Sequence, residues 1–149
     1  MEQLERALID GHYDVVANAA TEAIEMENWG RAYDIAQAYI AYGFFEDAVE
    51  LYRTLRKQLP EEEQLKIDEA QTLIELGKED EALLLLKEVD SKSEVYLQVL
   101  LIEADYYSML GMEAIVMQKV EEAYKRAPEE PIIQFAYAEA ALSIGRNRE

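Results

Sequence analysis

Apolar positions along this chain fall at helical spacing, and the whole pattern recurs. Glycines at Gly43, Gly77, Gly111 and Gly145 stand 34 residues apart, and an earlier one, Gly11, is two residues short of that period. Five places after successive glycines come Val16, Ala48, Ala82 and Val116; seven places before them come Ala36, Ala70, Ala104 and Ala138. Two columns of small residues suit helices that approach closely. Nine places after stand Ala20, Tyr52, Leu86 and Val120, and twelve after stand Ala23, Leu55, Val89 and Ala123. Offsets of five, nine and twelve share one face of a helix. Each glycine therefore separates two amphipathic helices, at a place where a left-handed backbone costs least for a residue without a Cβ. Such a hairpin cannot bury its apolar face alone and must lean on the next one. The pattern predicts an all-α fold: an α-solenoid of antiparallel helix hairpins, with repeats over about 1–28, 29–62, 63–96, 97–130 and an incomplete 131–149.

The predicted helices run from 2 to 10, from Tyr13 toward Met26, from Trp29 with Asn28 as N-cap, and from Phe45 to Gln58. Pro60-Glu61-Glu62-Glu63 is expected to open the next helix, where proline is tolerated and carboxylates meet the positive end of the dipole. That helix reaches Leu76, and its partner spans Glu79 to about Val89. Asp90-Ser91-Lys92-Ser93 is a polar connection in which Ser91 or Ser93 caps the following helix. The stretch from Glu94 to Leu110 is apolar on most sides, which predicts the most buried helix of the chain. A partner from Met112 to Arg126 follows, then a last helix carrying Ile132, Phe135 and Leu142 up to a turn at Gly145. Half a hairpin with so apolar a face leads to the expectation of either the N-terminal part of a longer array or an end covered by a subunit or partner. Trp29 closes the seam between two repeats or meets a partner.

In Gly43, Phe45, Ala48, Tyr52, Leu55 and Pro60 the chain resembles the tetratricopeptide repeat family, whose turn glycine, turn aromatic, small, bulky and core residues and closing proline these positions match. The match weakens in the next repeat, where Glu79 replaces the aromatic and Glu94 stands for the proline, before Pro128 restores it. The resemblance implies a right-handed superhelix and a concave wall, built by the first helix of each repeat, that holds an extended peptide or a partner helix.

Composition narrows the chemistry. Fourteen basic against 32 acidic residues give a net charge of −18, which disfavours nucleic acid and anionic membranes and favours basic partners, or else serves only to keep a half-apolar chain in solution. There is no cysteine, hence no disulfide and no thiolate metal site. The N-terminus lacks a secretory pattern, so a cytoplasmic location is expected. His12 is the lone histidine, and neither nucleophile motifs nor metal-ligand or phosphate-loop spacings occur. The expectation is therefore of no enzyme, cofactor or metal.

Under the resemblance, the concave candidates are Tyr33, Ile67, Leu101 and Phe135, ten before each glycine, beside Gln37, Gln71, Asp105 and Glu139, six before, with Asp34 and Asp68 adding charge. Ile67 and Leu101 equally suit a gap-filling role between repeats. Family members that clamp a C-terminal carboxylate present Lys, Arg and Asn here; this chain presents Gln, Asp and Glu. The leading expectation is a scaffold binding a basic or amphipathic peptide or helix of a partner protein. The alternatives are a peptide-sensing regulatory domain of a larger protein and self-association through the open C-terminal end.

Overall fold

The computed structural model describes residues 1–148, with side chains through residue 145. Among the described residues there are nine helices and no strand: α1 Glu2–Asp10, α2 Tyr13–Glu25, α3 Trp29–Ala41, α4 Phe45–Gln58, α5 Glu63–Glu75, α6 Glu79–Lys87, α7 Tyr96–Met109, α8 Glu113–Arg126 and α9 Pro131–Arg148. They fall into two compact units, Met1–Glu88 and Val89–Glu149. In the first, each helix from α1 to α6 packs on its neighbour in sequence; in the second, α8 packs on both α7 and α9.

The turns explain the glycine period. Gly11, Gly43, Gly77 and Gly111 have φ of 83°, 84°, 77° and 72°. At all four, the N–H of the following residue reaches back to the carbonyl four places before the glycine, as in Phe44 to Tyr39 at 2.7 Å and Lys78 to Leu73 at 2.8 Å. This bond satisfies a carbonyl left open at the helix end and aims the chain back along the hairpin. The joint between α2 and α3 uses the same bond, Asn28 N–H to the Ala23 carbonyl at 2.8 Å, but places Glu27 in the left-handed region at φ 57°. Asn28 caps α3 as expected, accepting the Arg31 N–H at 3.3 Å.

Gly145 departs from this rule. The sequence predicts a turn there, whereas α9 runs through it to Arg148. The start of α5 is also later than expected: Pro60, Glu61 and Glu62 form the turn, and the helix begins at Glu63. Ser93 accepts the Val95 N–H at 3.3 Å ahead of α7.

The small and apolar columns make the core. Val16, Ala48 and Ala82, Ala36, Ala70 and Ala104, the larger Tyr52, Leu55, Leu86, Val89 and Val120, and the small Ala123 are all buried. A fully buried side chain such as Leu55 or Leu86 is worth roughly 1.5–3 kcal/mol. Ala138, by contrast, is exposed. The helix from α7 is not the most buried. Leu97, Leu101, Tyr106 and Tyr107 are only half-buried and Met109 is open to solvent, while α5, packed between α4 and α6, buries more of its length.

Two buried carboxylates tie helices together. Glu69 on α5, 2% exposed, accepts Arg56 Nε at 2.7 Å and Arg53 Nε at 3.3 Å, both from α4. Glu103 on α7 faces Lys119 of α8 at 3.6 Å.

Candidate interaction surface

In the N-terminal unit the first helices α3 and α5 place several candidate residues in one polar chain. The Tyr33 hydroxyl donates to Asp68 Oδ2 at 2.7 Å, Gln64 Nε2 donates to Asp68 Oδ1 at 3.1 Å, and Gln37 Nε2 donates to the Tyr52 hydroxyl at 2.9 Å. The rings of Tyr33 and Tyr52 sit 6.0 Å apart. Burial, and then the Asp68 carboxylate, push the Tyr33 hydroxyl up to about 12. Tyr52 is driven up by burial and by the same carboxylate. Both rings are thus neutral donors or acceptors at any physiological pH, and Asp68 is held by partners on two helices. Asp34 and Gln71 are exposed on the same helices. Ile67, which sequence reasoning set beside them, is 0% exposed and belongs to the core, out of a ligand's reach.

The C-terminal unit carries a groove of about 390 Å³ framed by α7, α8 and α9. It brings together Leu101 and Asp105 of α7, Glu113 of α8 and Glu139 of α9, with Val116 and Leu142 as apolar walls. Ser108 and Ser143 add hydroxyls, and among the described residues no basic side chain lines it. Three carboxylates thus stand around the apolar side chains of Leu101, Val116 and Leu142. Phe135 lies outside this lining and is 65% exposed on α9, as is Ile132, while Leu142, part of the groove wall, is 60% exposed.

The family comparisons agree with this repeat architecture. A family model described as YpiA-like, tetratricopeptide repeats, matches residues 108–149. The TPR repeat-containing protein YpiA of Bacillus subtilis (strain 168) is 33% identical over 110 residues, covering 74% of this chain. This chain belongs to the tetratricopeptide-repeat proteins. It spans about a quarter (26%) of the curated relative it matches. A tetratricopeptide array points to a protein–protein interaction module. Among the described residues no group of His, Cys, Asp and Glu is arranged to hold a metal ion, and no helix is long and apolar enough to cross a membrane.

Sequence reasoning missed Glu113, Ser143 and the walls supplied by α8, because the family's pattern assigns the binding wall to first helices only. The second helix of the hairpin enters this groove through its first turn, which a count of offsets from the glycine could have flagged. It also missed Glu69 and Glu103, which share the position eight before their glycines with the apolar Ile35 and Tyr137 and so look like breaks in a core column.

Proposed function

We propose that this tetratricopeptide chain is a non-enzymatic scaffold whose first-helix wall binds a basic or amphipathic segment of a partner protein. The observation that carries this reading is the groove of the C-terminal unit, where Leu101, Asp105 and Glu139 converge with Glu113, and where no basic side chain is found among the described lining residues. In the N-terminal unit, Asp34, Gln37 and Gln71 extend a polar, acidic wall beside the fixed Tyr33–Asp68 pair. The net charge of −18 steers cationic segments toward such surfaces and selects among them more than it deepens affinity.

A fluorescein-labelled helical peptide of lysine and leucine, followed by anisotropy across ionic strength, tests this. Affinity should fall steadily as salt shortens the screening length to about 8 Å at physiological strength and below. Asp105→Asn with Glu139→Gln should remove most of that salt dependence. Binding that ignores both salt and this pair would overturn the proposal.

A further inference from the structure

A second groove, of about 300 Å³, lies in the N-terminal unit between α2 and α4, the second helices of two successive hairpins. Its floor is Ala20, Leu51 and the buried Tyr39, and its rim holds Glu25, Asp47 and Glu50, with no basic residue among the described ones. Thr21 and Thr54 also line it, but their hydroxyls are spent on carbonyls of their own helices, Ala17 at 3.1 Å and Glu50 at 3.0 Å. The groove therefore offers apolar area and carboxylates rather than open hydroxyls.

The next pair of second helices, α4 and α6, shows what such a slot holds when it is filled. Counted from their glycines, Thr21 corresponds to Arg53, Glu25 to Lys57, and Asp47 to Glu81. In that second slot Arg53 on α4 reaches Glu81 on α6 at 3.4 Å and Glu69 on α5 at 3.3 Å. The first slot keeps the acidic receiver, Asp47, and has lost the arginine that would occupy it. The buried Glu69 has Ile35 as its counterpart, so the first slot has an apolar interior where the second has a carboxylate. Its further negative charge comes from the rim, at Glu25 and at Glu50, whose nearest cation is Arg53 at 3.6 Å. Tyr39 presents no competing charge, since burial and then Asp47 push its hydroxyl up.

We propose that the α2–α4 groove receives an arginine side chain borne by an amphipathic segment of a partner protein, supplying in trans what Arg53 supplies within the chain at the next slot. The aliphatic stem lies on Ala20 and Leu51, and the guanidinium meets Asp47 and its acidic neighbours. This surface is built from second helices and does not rest on the first-helix reading above.

The test uses the 149-residue chain, isotope-labelled for amide NMR, and a short synthetic amphipathic peptide of leucine, alanine and arginine. Its control is the same peptide with citrulline, which keeps the shape and loses the charge. The arginine peptide should shift amides over 17–25 and 47–54, and the citrulline form should bind about threefold or more weakly, the scale of a partly exposed ion pair. Asp47→Asn should weaken the arginine peptide to the same extent. Thr21→Arg should fill the slot from within, abolish these shifts and raise the unfolding midpoint. Equal binding of the two peptides, shifts confined to other helices, or shifts retained at full size in Thr21→Arg would each overturn the proposal. Asp105→Asn with Glu139→Gln should leave the α2–α4 shifts unchanged, which separates failure here from failure of the C-terminal groove.

Discussion

Glu69 offers the sharpest probe of what joins one repeat to the next. It is almost wholly buried, and both its oxygens are held from α4, Oε1 by Arg56 and Oε2 by Arg53 and by Arg56 Nη2 at 3.4 Å. Removing one member of a fully buried pair costs about 3–5 kcal/mol because the other charge is stranded. Here the stranded groups are the arginines, whose side chains are 39% and 27% exposed, so water screens much of the loss. Glu69→Ala should therefore lower stability by about 2 kcal/mol, allowing also for the small cavity it leaves. For a unit of this size that is a fall of roughly 8–16 °C in the unfolding midpoint. Trp29, the lone tryptophan, sits half-buried against the core of this unit, so its fluorescence in a urea titration reports the transition. A double-mutant cycle of Glu69→Ala with Arg56→Ala should give a coupling of at least about 1 kcal/mol. A loss below about 0.5 kcal/mol for Glu69→Ala, the range of an ordinary surface change, would refute this picture of the α4–α5 joint.

Two further expectations concern the backbone and the tyrosine pair. Gly43→Ala should destabilise by about 1 kcal/mol through its left-handed backbone alone, since a Cβ there meets nothing within 4 Å and adds no clash, whereas Glu27→Gly should stabilise by up to about 1 kcal/mol; urea midpoints of both variants check the opposite signs. Tyr33 titrates near 12 against an ordinary 10.0, so its neutral form contributes stability that is complete below about pH 10 and is lost as pH rises through 12. Tyr33→Phe should be less stable at neutral pH, for want of the bond to Asp68, and should flatten the fall in stability between pH 10 and 12 expected of the unaltered chain.

The architecture was legible in the sequence because one physical demand repeats. Gly11, Gly43, Gly77 and Gly111 occupy positions that only a residue without a Cβ adopts cheaply, and the columns between them must leave water together. Glu27 shows the limit of that reading: it takes the same backbone conformation with no glycine to mark it. The interaction surface was legible only in part. Asp105 and Glu139 could be placed on one wall by counting, but whether Ile67 faced a ligand or the core depended on packing from both sides, which periodicity does not encode. The vacancy at Thr21 becomes visible only beside the filled slot at Arg53, since a threonine on a helix face is unremarkable by itself.

The central claim is that acidic groups around an apolar floor select a cationic segment, and a charge exchange tests it most directly. Asp105→Lys with Glu139→Lys should invert the preference of the C-terminal groove, so that an amphipathic peptide bearing glutamate binds better than its lysine counterpart, as read by anisotropy at low salt. A variant that still prefers the lysine peptide, by the same margin as the unaltered chain, would contradict the account.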